Sequence, residues 1–247
     1  MNWRCAASRL LLALLLWPAA SAAKEPPGRQ KAVRFGTADG WTIAGLYRPP
    51  RSGRPVALLA HGVASSKGEW DSFEPRLWRL GIGTLAIDLR GHGESTLGPA
   101  GRTDFSAFDA SGEWPLARKD LEAALSFLKE RGIAAGRVGL IGASIGANLV
   151  SRVAAERPET PWVVLLSPGA DYRGVGLEVL AGRKVFVGAC PSDGYAFATS
   201  RKLASLPEGP FFLPARTGHG VQMFDDPEFL KGLLEWIAAA AGRRGKP

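Results

Sequence analysis

Cysteine and histidine are scarce in this sequence. Two cysteines, Cys5 and Cys190, and three histidines occur in 247 residues. Cys5 lies in an apolar N-terminal stretch, so a processed chain keeps one thiol, forms no internal disulfide and must be held by its core. Three isolated histidines and one thiol supply no metal-ligand spacing, so no metal is expected. Cys190 reads as a small packing residue. There is no G-x-x-x-x-G-K-[ST] run and no G-x-G-x-x-G opening a helix, which excludes the usual nucleotide sites, and no cofactor is expected. The net charge is +8, but part of it sits in Arg243, Arg244 and Lys246 at the C-terminus and the rest is scattered. No basic stripe is interleaved with aromatics, so nucleic acid is not an expected partner. Internal repeats are also lacking.

The N-terminus is a different kind of segment. Arg4 and Arg9 precede the apolar stretch 10–17, and Ala20-Ser21-Ala22-Ala23 offers small residues for cleavage. This is the pattern of a secretory signal peptide, too short for a comfortable membrane span. Residues 1–23 are therefore read as a signal cleaved near Ala22–Lys24, with an uncleaved anchor as the alternative. The expected location is secreted or periplasmic, with no stable membrane insertion after cleavage. Residues 24–30 form a Pro/Gly/charge leader, 31–241 a single domain, and 242–247 a basic tail.

Within the domain, short buried runs alternate with amphipathic segments. Val33–Phe35 and Trp41–Tyr47 alternate in period two around Ala38-Asp39-Gly40, as in a hairpin. Apolar runs at 56–60, 83–87, 137–141, 162–166 and 184–189, and a further run opening at Pro210, read as strands. Segments 68–80, 118–130, 147–155 and 195–206, and one beginning at Pro227, read as helices. Asp226 is placed to cap the last of these, with Pro227 at its first position. Such alternation implies an α/β fold, a mostly parallel sheet with helices on both faces. Ligands bind such sheets beyond the carboxyl ends of the strands, and His61, Ser144, Asp193 and His219 each follow a predicted strand end.

The chain is organised around Gly142-Ala143-Ser144-Ile145-Gly146, a serine between two glycines at a strand-to-helix turn. This is the nucleophile-elbow pattern. The tight turn lifts the hydroxyl clear of the sheet and leaves no room for side chains two positions either side. Ser144 is the expected nucleophile, and it needs a base. His219, in the Gly-flanked Thr217-Gly218-His219-Gly220 after the last strand, is the expected base, following Ser and Asp in chain order. Asp193 is the chosen orienting acid and Asp171 its rival. Two backbone donors must face the developing oxyanion. Ile145 N–H at the helix start is one, and Val63 N–H, after His61-Gly62, is most simply the other. His61 and Gly62 shape that loop, and Asp88–Ser95 forms a supporting turn. The long segment 96–115 is expected to be a functional loop, with Phe105, Phe108 and Trp114 as candidate substrate contacts.

With Leu59-Ala60-His61-Gly62, Asp88-Leu89-Arg90-Gly91-His92-Gly93-Glu94-Ser95, Gly142–Gly146, the Asp193 turn and Gly218-His219-Gly220 in place, the chain resembles the α/β-hydrolase superfamily from Val33 to Ile237. The second of these pieces looks like the monoglyceride-lipase and serine-aminopeptidase branch. The resemblance implies an eight-stranded, mostly parallel sheet whose second strand is antiparallel. It implies Ser144, Asp193 and His219 as a triad with Val63 and Ile145 as oxyanion donors. Relatives often insert a helical cap after the sixth strand, whereas Gly169 to Arg183 leaves only about fifteen residues here. The expected function is an exported serine hydrolase acting on a small-molecule carboxylic ester, thioester or other acyl substrate. A serine peptidase using the same machinery and a non-catalytic binding member of the fold are the alternatives.

Overall fold

The computed structural model describes residues 28–242. The signal peptide expected at 1–23, most of the leader at 24–30 and most of the tail at 242–247 lie outside the described residues. Among the described residues, no helix is long and apolar enough to cross a membrane.

Eight principal strands form one sheet: β1 (Lys31–Gly36), β2 (Thr42–Arg48), β3 (Val56–Ala60), β4 (Gly83–Ile87), β5 (Val138–Ala143), β6 (Val163–Leu166), β7 (Val185–Ala189) and β8 (Phe211–Pro214). Their spatial order is β1-β2-β4-β3-β5-β6-β7-β8. β2 runs antiparallel to both neighbours, in register Phe35↔Ile43 with β1 and Tyr47↔Leu85 with β4. From β4 to β8 all pairs are parallel. A small hairpin, Leu97–Gly98 with Gly101–Arg102, adds to the β2 edge and makes ten strands in all. The expected mostly parallel sheet with its antiparallel second strand is observed, and the hairpin adds two strands to the eight expected.

The two sheet faces are legible in β3. Val56, Leu58 and Ala60 enter one hydrophobic cluster, while Ala57 and Leu59 enter another. Successive strand side chains point to opposite faces, so a strand buried on both sides is apolar throughout. α2 (Arg118–Glu130) and α3 (Ile145–Ala155) cover the first face through Leu121, Leu128, Leu149 and Val153. α1 (Glu74–Arg79) and α5 (Pro227–Ala240) cover the second through Leu77, Phe229, Leu233 and Ile237. α4 (Gly194–Ala204) contributes Leu203 to the first cluster. Asp226 caps α5 as expected, its Oδ1 accepting from the backbone of Glu228 at 3.2 Å and Phe229 at 3.4 Å.

Two expected elements differ. The helix expected over 68–80 is split into a short 3-10 turn, Lys67–Trp70, and α1, which begins only at Glu74. Pro75 lacks an N–H and fits only a first helical turn, so it sets the start of α1. The expected long loop 96–115 is mostly built from hairpin and helical turns, with Phe108–Ser111 and Trp114–Ala117 among them. Its aromatics supply the burial that holds it.

Candidate active site

β5 and α3 meet at Ser144, whose backbone has φ 54° and ψ −124°. A non-glycine residue there is strained, and such strain persists only where its surroundings dictate it. The Ser144 N–H is held by the Leu166 carbonyl at 2.8 Å, extending the β5–β6 ladder beyond the strand end. A Cβ on Gly142 would lie 2.2 Å from the Gly146 carbonyl oxygen, and one on Gly146 would lie 2.3 Å from that of Ala60. Both glycines are thus required sterically. Ile145 is the first residue of α3, so its N–H has no intrahelical acceptor.

Asp193 and His219 arrive from the ends of β7 and β8. His219 Nδ1 lies 2.6 Å from Asp193 Oδ2. Asp193 stands at the N-cap of α4 but makes no side-chain cap hydrogen bond, so its carboxylate is free for the imidazole. The rival Asp171 is exposed and closes a turn of its own, with Oδ1 accepting from Gly174 N–H at 2.8 Å. The His219 loop is fixed on both sides. Gln222 Oε1 accepts from His219 N–H at 3.2 Å, and the Gly220 N–H donates to Ser167 Oγ at 2.9 Å. Gly218 has φ 94° and Gly220 φ 58°, conformations that suit glycine.

The loop after β3 turns sharply, with Ala64 at φ 56°. His61 is fully buried. Its Nε2 accepts the Leu89 N–H at 3.0 Å, which leaves Nδ1 to donate to the Gly62 carbonyl at 2.7 Å. Burial holds the His61 pKa down at about 3, so the imidazole is neutral and structural. Asp88 ties down the far end of the loop. Its Oδ1 accepts from Lys67 N–H at 2.7 Å, and its Oδ2 accepts from Lys67 Nζ at 2.6 Å and Glu94 N–H at 2.9 Å. Arg90, also fully buried, meets Asp120, Asp39 and Glu113 at 2.8, 3.0 and 2.5 Å. The turn 88–95 is therefore an ion-paired brace.

Ser144, His219 and Val63 line one open cavity of about 390 Å³, together with Gly62, Glu69 and Gln222 among others. By contrast, the hollow beneath Leu165, Val185 and Leu203 holds about 10 Å³, at most one water. The three aromatic candidates lie elsewhere and do not line the Ser144 cavity. Phe108 and Trp114 are 1% and 2% exposed in the core. They pack edge to face on each other, and Phe105 stacks on His92 at 4.3 Å. The expectation that they contact substrate from a loop is corrected on this point: their apolar area is spent on anchoring 105–117 to the sheet.

Two residues of the neighbourhood escape sequence reasoning. Tyr172, on the small Asp171–Tyr172/Val175–Gly176 hairpin, has its hydroxyl 3.3 Å from the Ser167 carbonyl. Burial first, then the nearby Asp193, pushes its phenol pKa up to about 12, while hydrogen bonding to Ser144 opposes the rise. Buried Asn148 fixes the segment, donating to the Gly169 and Val175 carbonyls at 2.8 and 2.7 Å. Glu69, on the 3-10 turn, is the second. Burial pushes its pKa up to about 7, against Ser65 and Gly62. Neither has a sequence signature beyond lying after a strand end.

The model of the alpha/beta hydrolase family matches residues 57–246. Protein phosphatase methylesterase 1 of Schizosaccharomyces pombe is 28% identical over 160 residues, covering 62% of this chain and 42% of its own length. The chain thus matches less than half of that relative. The esterase Pf2001 of Pyrococcus furiosus superposes with a TM-score of 0.67 at 18% identity, over 87% of this chain and 94% of the other. EstE1, a thermostable carboxylesterase from a metagenomic library, gives 0.65 at 18% identity, over 89% and 92%. A dienelactone hydrolase of Anabaena variabilis gives 0.64 at 22%, over 87% and 97%. At these identities the solved structures speak for the fold. The family match, spanning most of the chain, shows that this protein belongs to the alpha/beta hydrolase family.

Proposed function

We propose that the protein is a serine hydrolase that cleaves a small carboxylic ester or thioester through an acyl-enzyme. The observation that carries this reading is the 2.6 Å contact of His219 Nδ1 with Asp193 Oδ2, at the cavity that also holds Ser144 on its strained elbow. Ser144 Oγ attacks the acyl carbon while His219 takes its proton. Asp193 holds the imidazole in the tautomer whose Nε2 can accept, and stabilises the imidazolium. The N–H groups of Val63 and Ile145 bind the oxyanion, the latter aided by the α3 dipole. Expulsion of the alcohol or thiol, protonated by His219, leaves the acyl group on Ser144. Water, deprotonated by His219, then releases the acid. No step requires a cofactor.

The methylesterase named among the relatives supports a carboxylic ester as the substrate class. A fluorophosphonate probe tests the reading: it should label Ser144 in the intact protein, and Ser144→Ala should lose both the label and ester turnover. Absence of labelling would return the protein to the non-catalytic reading. We further propose that the chain is exported, on the N-terminal pattern alone. Intact mass of the exported fraction should show a chain starting near Ala22–Lys24; a mass beginning at Met1 would reject cleavage.

A further inference from the structure

We propose that Glu69 makes the Ser144 cavity selective for esters that carry a protonated amine a few bonds from the scissile carbonyl. The inference rests on the hydrolase reading above and adds a substrate class to it.

Glu69 lines the same cavity as Ser144, His219 and Val63. Its Oε1 is buried and has no hydrogen-bond partner. Buried carboxylate oxygens are ordinarily satisfied, because leaving one bare costs its full desolvation. The cation nearest in sequence is already engaged: Lys67 Nζ lies 2.6 Å from Asp88 Oδ2 and 2.9 Å from Glu94 Oε1. The cavity lining contains no lysine or arginine. Its one imidazole has Nδ1 on Asp193. Glu69 is thus the only acid among the lining residues; no lining cation offsets it, and hydrogen bonding to Ser65 and Gly62 opposes its shift only in part.

That arrangement is unfavourable in the empty protein, and burial accordingly pushes its pKa up to about 7. An ammonium group entering the cavity supplies the opposite charge and, once the carboxyl turns to present Oε1, the donor that this oxygen lacks. It would draw the carboxyl into its ionised form and gain a charge-assisted hydrogen bond away from bulk water. A neutral alkyl group of the same shape gains neither and leaves Oε1 bare. The same carboxyl adjoins Gly62, next to the Val63 donor, so a bound ammonium lies beside the carbonyl that Ser144 attacks.

The test uses pairs of esters matched in shape but not in charge. Ethyl glycinate is paired with ethyl propionate for an amine on the acyl side, and 2-(dimethylamino)ethyl acetate with 3-methylbutyl acetate for one on the alcohol side. At about pH 7.5, kcat/KM for the cationic member of at least one pair should exceed that of its neutral partner by about tenfold, and Glu69→Gln should remove most of that ratio. A ratio near one in the unaltered protein, or one that Glu69→Gln leaves in place, overturns the proposal. Protection provides a readout that needs neither the variant nor turnover: propylammonium should slow fluorophosphonate labelling of Ser144 more than 1-propanol does at equal concentration. Equal protection by the two also overturns it. Failure of Ser144 to label at all removes the hydrolase reading and this inference with it. Labelling and turnover without charge preference remove this inference alone.

Discussion

Asp193 and His219 stand 26 positions apart in the chain, yet their side chains meet at 2.6 Å. They do so because β7 and β8 are parallel neighbours, in register Ala189↔Pro214, and both residues follow the carboxyl ends of those strands. Asp171 follows β6, one strand further in, and its carboxylate closes a hairpin turn instead. Neutralising the two acids should therefore have unequal effects. Asp193→Asn is expected to lower kcat by at least about 10², towards the 10⁴ of a lost triad carboxylate, with the fold intact. Asp171→Asn should change kcat by less than about tenfold. Steady-state kinetics on one soluble ester, with circular dichroism on both variants, decides it; the reverse ranking would move the acid to Asp171.

Gly146 gives a steric prediction. Its missing side chain lets α3 approach the end of β3, where a methyl group would meet the Ala60 and His61 carbonyls at 2.3 and 2.5 Å. Gly146→Ala must push the elbow away from the loop that carries Val63. We expect a loss of about 1–3 kcal/mol in stability, the usual range for overpacking. A fall in kcat of about 10² or more should accompany it, because the proposed oxyanion donors, Val63 and Ile145, would separate from each other. Urea melts and kinetics of the purified variant measure both. A fully active, fully stable variant would contradict the packing.

The Arg90 brace predicts a stability defect remote from the chemistry. Removing Arg90 leaves the fully buried Asp120 carboxylate with no cation, where it now has two contacts to the guanidinium. Arg90→Ala should lower the unfolding free energy by about 3–5 kcal/mol. Because neighbours couple, Asp120→Ala in the same background should recover part of the loss. Chemical denaturation of the single and double variants tests this.

Glu74 predicts a pH dependence of stability. It is buried, with Gln30 Nε2 donating to Oε2 at 2.5 Å, and burial raises its pKa from 4.5 to about 7. Below pH 4.5 the carboxyl is protonated in both states and the shift has no effect. As pH rises to 7 the unfolded chain ionises first and so binds fewer protons than the folded one, so stability falls and the loss is complete above that pH. The difference corresponds to about 3 kcal/mol. Glu74→Gln should therefore raise Tm at alkaline pH and leave it nearly unchanged at acid pH. An equal effect at both ends of the range would show that ionisation is not the cause.

The short connection between β6 and β7 predicts how substrate reaches Ser144. Where a helical cap domain would stand, the chain has only the Asp171–Gly176 hairpin, joined to the 105–117 segment by Arg173, which pairs with Asp109 and lies over the Trp114 ring at 5.4 Å. We expect efficient turnover of water-soluble short-chain esters and no jump in rate at a lipid interface. Rates measured below and above the solubility limit of one ester settle the point; strong activation on an emulsion would require a moving lid.

Much of this architecture is local and could be read from the residues. Runs such as Val56–Ala60 can only be strands buried on both faces, and Gly142 and Gly146 around Ser144 mark a turn that tolerates no side chains. The order of serine, acid and histidine along the chain, each after a strand end, places all three on one edge of the sheet. These features follow from hydrophobic period and steric exclusion, which act over a few residues. What the sequence left open depends on distance in space. Asp171 and Asp193 look alike until the sheet order brings only one to His219. Phe108 and Trp114 look like loop aromatics until the core closes over them. Glu69 looks like any surface acid until Ser144, Val63 and His219 gather around the cavity it lines. Burial and charge pairing are properties of the assembled sheet and its helices. They decide which of several chemically similar side chains faces the site, and only the tertiary structure sets them.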